Sequence, residues 1–152
     1  MEHVALTVRG RYLHLVEQDG RAVVRADAAT IEPSGVLTRL PLGHDRVALR
    51  TVDGQYLTFR PEGDLTFGLV PEDGLSRDAA FEEILWPNGQ VSLRSSELTF
   101  VSARTDGCVV ANRTVTEVGE RFAFVAVPIA MVPAQVRRRV AAAEEPVLRS
   151  GG

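Results

Sequence analysis

Two residues of opposite charge, Arg39 and Glu83, stand 44 positions apart in the chain. Leu37 and Phe81 are separated by the same interval, and each charged residue follows one of them by two positions. Side chains two positions apart on a strand point to the same face, so each charge shares a face with an apolar residue. Because an unpaired buried charge is costly, these two residues need a partner or access to solvent.

Two interpretations of this arrangement are open. In the first, a β-bulge turns both charges toward solvent, and Leu40 and Ile84 take the inward positions. In the second, Arg39 and Glu83 form an ion pair that lines a small polar pocket. Such a pocket, with positioned acid–base or electrostatic groups, is typical of a small enzyme or small-molecule binder that uses no covalent nucleophile.

A second group of polar and aromatic residues is a candidate ligand-binding site. Asp53, Tyr56 and Arg60 place a carboxylate, an aromatic ring and a guanidinium within a short segment. Alternatively, Tyr56 packs against its own sheet and Asp53 bonds the backbone of its turn, as turn Asp residues usually do. Trp86 precedes Pro87-Asn88-Gly89. An exposed Trp86 would anchor a ligand, whereas a buried one would close one end of the fold.

The chain contains few residues of the types that bind metal ions or act as covalent nucleophiles. His3, His14 and His44 are the histidines and Cys108 is the cysteine. Their spacing matches no metal-ligand motif, and no sequence feature places a histidine beside Cys108, so we expect this thiol to be a small, partly buried apolar side chain. The chain has no phosphate-binding loop and no Gly-x-Ser-x-Gly motif. We therefore predict no metal, no cofactor and no standard catalytic motif.

The strands that position these residues are predicted by a repeat of 43 or 44 residues. The recurring patterns are Val4-Ala5-Leu6, Val47-Ala48-Leu49 and Val91-Ser92-Leu93; Tyr12-Leu13, Tyr56-Leu57 and Phe100-Val101; and the turns Asp19-Gly20, Glu62-Gly63 and Asp106-Gly107. Within each copy, apolar residues alternate with other residues at a period of two, which is typical of β-strands. Each copy is predicted to contain four short strands, which in the first copy lie near 4–9, 11–17, 21–26 and 36–41.

Twelve strands in three copies restrict the architecture. A propeller uses about four to eight blades, so three copies cannot close one. An open solenoid needs polar capping repeats at its ends, and these copies include none. A closed barrel with threefold pseudosymmetry leaves no sheet edge unpaired. The predicted fold is therefore all-β, a β-trefoil of twelve strands in three repeats.

The second copy resembles a known family. Residues 47–58, Val-Ala-Leu-Arg-Thr-Val-Asp-Gly-Gln-Tyr-Leu-Thr, and residues 80–84, Ala-Phe-Glu-Glu-Ile, are similar to the repeat of fascin-like β-trefoil proteins. The resemblance covers about 4–128 and implies protein or cytoskeletal binding. It does not imply actin bundling, which needs several tandem trefoils. Separately, all 17 basic residues counted as Lys or Arg are arginines, which is typical of GC-rich coding and indicates a bacterial origin.

The chain is predicted to divide into a trefoil domain at 1–128 and a C-terminal extension at 129–152. The three repeats lie at about 4–46, 47–90 and 91–128. In the extension, residues 134–145 are rich in helix formers and Pro146 ends that segment. We expect a short helix and a frayed tail. The helix either packs on the trefoil or binds a partner.

Composition narrows the partners and the location. The net charge is −3, whereas a nucleic-acid binder usually presents a strongly basic face. The first ten residues lack the basic and apolar regions of a signal peptide. No apolar run approaches the ~18–20 residues of a membrane span. We therefore expect a cytoplasmic protein that binds neither nucleic acid nor membrane.

The leading functional hypothesis is a non-catalytic binding module that recognises a carbohydrate or a protein through its loops. The turns between the first two strands of the copies differ in charge, at 9–11, 52–55 and 95–97. Three equal sites are therefore not expected, and the second copy, with Asp53 and Tyr56, is favoured. The alternative hypothesis places a small-molecule pocket around Arg39 and Glu83. The oligomeric state is left open.

Overall fold

The computed structural model describes residues 2–60, 66–70 and 77–134, and the elements in these ranges are strands and single 3-10 turns. The strands are β1 (Glu2–Val8), β2 (Arg11–Gln18), β3 (Arg21–Ala28), β4 (Leu37–Gly43), β5 (Arg46–Arg50), β6 (Tyr56–Arg60), β7 (Thr66–Val70), β8 (Phe81–Leu85), β9 (Val91–Arg94), β10 (Phe100–Ala103), β11 (Val109–Arg113) and β12 (Ala123–Ala126). The 3-10 turns are Pro33–Gly35, Arg77–Ala79, Val118–Glu120 and Ile129–Met131. The predicted all-β class is confirmed, and the strands of the first copy end within about two residues of their predicted positions.

The twelve strands of these ranges belong to one antiparallel sheet. Hydrogen-bonded neighbours follow the order β3-β2-β1-β4-β5-β6-β7-β11-β10-β9-β8, while β12 pairs with β1 and β5 also pairs with β8. The same pairings recur between copies: β4 pairs with β5, β8 with β9, and β12 with β1. The fourth strand of each copy is thus joined to a first strand of another copy.

One hydrophobic core draws residues from all three copies. Leu37, Phe81 and Phe122, which hold equivalent places in the repeat, are 3%, 0% and 0% exposed. Leu6, Leu49 and Leu93, from the first strand of each copy, belong to the same cluster. Side chains from three sequence-distant segments therefore bury one another, which ties the copies together by apolar burial.

The turn between the first two strands differs in the third copy. Gly54 has φ +81° in the second copy, as expected for a glycine turn, and Leu98 takes the equivalent place with φ +63°. The surrounding hydrogen bonds are preserved, because Thr51 N–H donates to the Gln55 carbonyl over 2.7 Å and Ser95 N–H donates to the Thr99 carbonyl over 2.7 Å. A leucine thus adopts a left-handed conformation that favours glycine.

The start of the C-terminal extension packs on the strands. Val132 of the extension joins a small buried cluster with Ala5, Val36, Val52 and Val127. The predicted helix at 134–145 lies outside the described residues apart from Ala134. In the part of the chain that the structure describes, no helix is long and apolar enough to cross a membrane.

Candidate functional site

Arg39 and Glu83 meet at equivalent places in β4 and β8. Arg39 Nε donates to Glu83 Oε2 over 2.9 Å, and Arg39 Nη2 contacts Oε1, so the guanidinium binds both carboxylate oxygens. The Glu83 side chain is 10% exposed and that of Arg39 is 24% exposed. A bidentate, mostly buried contact of this kind is a strong charge-assisted pair.

The strand backbone is regular at this ion pair. The irregularity in the pairing of β4 with β5 falls between Pro41 and Gly43, beyond the charged position. Leu40 packs in a separate cluster that includes Tyr56, so it does not replace the charged residue on the core side. No bulge turns the two charges outward here, and the ion pair of the second interpretation is present. The small polar pocket that this pair was predicted to line stays a prediction.

Two more residues surround the Arg39 guanidinium. Phe124, which holds the equivalent position in the third copy, has its ring centroid 5.6 Å from the guanidinium carbon. Glu2 Oε1 lies 3.7 Å from Arg39 Nη1. The hydrogen bond to Glu83 raises the pKa of Arg39, although burial opposes it. These contacts satisfy the pair from within the fold.

The structure separates the residues of the second candidate group. Tyr56 is 6% exposed and packs with Ala48 and Ala79, whereas Asp53 is exposed in its turn. Arg60 lies at the other end of β6, and four residues of strand separate its Cα from that of Tyr56 by about 13 Å. The buried Tyr56 ring supports the packing interpretation. Binding by Asp53, Tyr56 and Arg60 stays a prediction.

Trp86 is half-buried at the junction of the second and third copies. Its Nε1 donates to Ser92 Oγ over 2.9 Å, and Ser92 Oγ donates to the Glu120 carbonyl over 2.7 Å. The Arg121 guanidinium carbon lies 4.2 Å from the centroid of the Trp86 ring system. One face of this ring is therefore covered by a cation of the same chain.

A polar cleft of about 380 Å³ lies between the first and third copies. Three segments form it, the turn after β1, the end of β10 with the following turn, and the connection from β11 to β12. Its lining residues, which we call the loop cleft, are Arg9, Ser102, Ala103, Arg104, Thr105, Asp106, Arg113, Glu117, Val118, Gly119 and Glu120. This volume lies in the range of small-molecule sites, and neither Arg39 nor Glu83 lines it.

The carboxylates of the loop cleft bond its backbone and a hydroxyl. Glu120 is 4% exposed. Its Oε2 accepts from Ser102 Oγ over 2.6 Å and its Oε1 accepts from the Glu117 N–H over 2.8 Å. The Glu117 side chain in return accepts from the Glu120 N–H, which completes a capping box around Val118–Glu120. These hydrogen bonds connect the wall of the cleft to Ser102 and to the 3-10 turn.

Arg9 crosses the loop cleft toward the third copy. Its Nη1 donates to the Ala103 carbonyl over 2.6 Å. The side chain passes beside Gly119, where an added Cβ would lie 2.7 Å from the Ala103 oxygen and 2.9 Å from Arg9 Nη2. Only a residue without a side chain leaves room for this contact, so Gly119 is required by the close approach.

A second polar network joins β3 to the turn before β11. Arg25 donates from Nε to Asp27 Oδ2 over 2.8 Å, and its other nitrogens donate to the Asp106 carbonyl and to Cys108 Sγ over 2.5 and 3.6 Å. His14 Nε2 lies 2.5 Å from Asp27 Oδ1 and donates to it, because a carboxylate only accepts. The hydrogen bonds from Arg25 and then His14 lower the pKa of Asp27. The near neighbour of Cys108 is thus an arginine.

The loop cleft and the Arg25 network were not predicted from the sequence. Arg9 and Ala103 are 94 positions apart, and no spacing rule connects them. The one available signal was the difference in charge among the turns at 9–11, 52–55 and 95–97, which marks the first turn as basic.

Comparisons with known proteins add no assignment. No protein-family model matches the chain, and no curated protein matches it in sequence. Among the described residues, no group of three or more His, Cys, Asp or Glu side chains is placed to hold a metal ion. The function is therefore inferred from the geometry of the described residues.

Proposed function

We propose that this chain is a single β-trefoil of the fascin-like kind, a non-catalytic binding module that holds a carbohydrate ligand in the loop cleft. The observation that carries the proposal is the cleft of about 380 Å³ with its polar lining. Rigid strands position this lining, while the residues that would touch a ligand lie mostly on loops, as is common for binding sites.

The strand pairings support the trefoil part of the proposal. In the first two copies the first strand pairs with the fourth, β1 with β4 and β5 with β8. In the third copy an isolated bridge from Val91 to Phe122 takes this place. Together with the pairings between copies, these contacts run from β1 through β4, β5, β8 and β9 to Phe122, the residue before β12, and β12 pairs with β1. This order of contacts is the one expected of a trefoil barrel. The remaining strands form the hairpins β2–β3, β6–β7 and β10–β11.

The shape and chemistry of the cleft favour a carbohydrate over a protein. Protein interfaces bury roughly 800 Å² on each partner, whereas a concave site of this volume suits a molecule the size of one or two sugar units. Arg104 and Asp106, both exposed, offer donors and acceptors of the kind that hydroxyl groups bind.

The non-catalytic part of the proposal is supported by how the buried acid of the cleft is used. Glu120 is buried and both its carboxylate oxygens accept hydrogen bonds from Ser102 and Glu117. A general acid or base must reach the reacting group of its substrate. Glu120 instead holds the cleft wall, which is a structural task.

The test is a glycan array with the folded protein, followed by calorimetric titration of a bound glycan. Thr105→Trp places a bulky ring in the cleft and is expected to abolish binding. Thr30→Trp, at an exposed position outside the cleft, is the matched control and should bind as the wild type does. If no glycan binds, or if Thr105→Trp keeps full affinity, the proposal is wrong.

A further inference from the structure

We infer that the ligand of the loop cleft carries a carboxylate, as an acidic sugar does, and that Arg104 and Arg9 bind this group. This inference rests on the proposed function. The inference specifies the charge of the ligand and the residues that bind the charged group.

Arg104 is the cation with unused hydrogen-bonding capacity in the cleft. Its side chain is exposed and, within residues 2–60, 66–70 and 77–134, makes no hydrogen bond or ion pair. Its backbone is fixed, since Arg104 N–H donates to the Cys108 carbonyl over 2.8 Å. A fixed backbone with an unpaired guanidinium leaves five N–H donors for a ligand.

Arg9 provides further donors from the opposite wall. One of its nitrogens, Nη1, donates to the Ala103 carbonyl over 2.6 Å, and this contact holds the planar group against the third copy. The guanidinium has other N–H groups that this bond does not use. Arg9 and Arg104 therefore present donors to the same cleft from two copies of the repeat.

The acids of the cleft leave hydrogen-bond donors of Arg104 and Arg9 unused. Glu120 is bonded to Ser102 and Glu117, as described above. Glu117 Oε2 lies 3.8 Å from Arg113 Nη2, so these two exposed charges offset each other. Asp106 Oδ1 accepts from the Cys108 N–H over 3.0 Å. This bond lowers the pKa of Asp106, and the charges of Arg104 and Arg25 act in the same direction without a hydrogen bond between the Asp106 carboxylate and Arg104. The donors of Arg104 and Arg9 are thus left for an acceptor from outside, and a carboxylate matches a guanidinium in two parallel hydrogen bonds.

An acidic sugar fits the cleft better than an acidic peptide. Asp106 and Glu117 still have lone pairs, because a carboxylate has about four acceptor sites. Hydroxyl groups of a sugar would donate to them while its carboxylate binds the arginines. A chain of acidic side chains would bring further negative charge beside Asp106 and Glu117, which is unfavourable.

The test compares D-glucuronate with D-glucose, which differ at one carbon by a carboxylate in place of a hydroxymethyl group. Amide chemical-shift titrations by NMR give the Kd of each sugar for the wild type, for Arg104→Ser and for Arg46→Ser. Arg46 is an exposed arginine outside the cleft and serves as the control. We expect glucuronate to bind about tenfold more tightly than glucose, the low end of what one charge-assisted contact contributes. Arg104→Ser should remove this preference and Arg46→Ser should keep it.

The other possible results would refute either the carboxylate inference or the choice of a sugar as the ligand. Equal binding of both sugars in the cleft would refute the carboxylate inference and leave the proposed function standing. Binding of neither sugar, with the fold intact by its amide spectrum, would refute the carboxylate inference, and the glycan array would decide on the proposed function separately. A tri-glutamate peptide that binds more tightly than glucuronate would show that the carboxylate comes from a protein partner.

Discussion

At the scale of single residues, the Arg39–Glu83 pair stabilises the fold only while both partners are present. Arg39→Met would leave the Glu83 carboxylate, 10% exposed, without its bidentate partner, and we expect a loss of about 2–4 kcal/mol in the free energy of unfolding. In the double variant Arg39→Met/Glu83→Leu no buried charge is left, so most of this loss should be recovered. Urea unfolding of both single variants and the double variant measures the coupling.

Additive losses in the double variant would contradict the prediction for the Arg39–Glu83 pair. If the two single losses simply add in the double variant, the side chains are not coupled and the ion pair contributes no specific energy. Ligand binding by the loop cleft should be unchanged in the double variant, because neither residue lines the cleft. A loss of binding there would favour the alternative pocket around Arg39 and Glu83.

His3 is the residue from which we predict a pH dependence. Burial is the main cause that lowers its pKa below 6.5, and the positive charges of the amino terminus and Arg50 act in the same direction. Its Nδ1 is buried and has no hydrogen-bond partner within the described ranges. The unfolded chain therefore binds this proton more readily, so the free energy of unfolding should decrease as the pH falls below about 6.5.

Thermal unfolding between pH 7.5 and 5 tests this expectation. His3→Gln should flatten the decrease in Tm over this interval. His44→Asn, which removes an imidazole from an exposed turn where φ is +53°, is the control for the loss of any histidine. An unchanged pH profile in His3→Gln would contradict the assignment.

At the scale of elements, the 44-residue period carried most of the prediction. It placed Leu37 and Phe81 at one register, Phe122 follows Phe81 at the shorter interval of 41 residues, and all three are buried in the common core. It also brought Arg39 and Glu83 to equivalent places, although the sequence could not decide between a bulge and an ion pair, because a bulge depends on local backbone geometry.

The repeat did not predict the backbone conformation of the turn at Leu98, and this conformation can be tested by substitution. Its φ of +63° is costly for leucine, and the side chain is 63% exposed, so little packing is lost with it. Leu98→Gly should raise the free energy of unfolding by about 0.5–1 kcal/mol, the relief of strain exceeding the added flexibility of the unfolded chain.

Leu85, a second exposed leucine, is the control for the Leu98→Gly substitution. Leu85 ends β8 and is 77% exposed, and it has no positive φ. Leu85→Gly should lower the free energy of unfolding by about 0.5–1 kcal/mol, because glycine weakens a strand. Equal effects of the two substitutions would mean that the backbone conformation at Leu98 stores no strain.

At the scale of the whole molecule, the site arises from contacts that the repeat does not encode. The loop cleft joins Arg9 to residues near 102–106 and 117–120, and the pairing of β1 with β12 brings the first copy beside the third. Periodicity predicts which residues are equivalent. It does not predict which loops of different copies approach each other, since that depends on side-chain packing and on departures from the repeat such as Gly119.

A single core shared by three copies should unfold as one cooperative unit. Trp86, the only tryptophan of the chain, reports on the junction of the second and third copies, whereas far-ultraviolet circular dichroism reports on all strands. We expect the two signals to give the same urea midpoint.

Phe81→Ala, at a side chain that is 0% exposed, should lower the free energy of unfolding by about 3–5 kcal/mol and shift both signals together. Phe81→Leu, which leaves a smaller cavity and should cost about 1–1.5 kcal/mol, keeps the comparison possible if the alanine variant does not fold. Separate midpoints for fluorescence and circular dichroism would mean that the copies unfold independently, in which case the loop cleft, built from the first and third, would be lost before the strands.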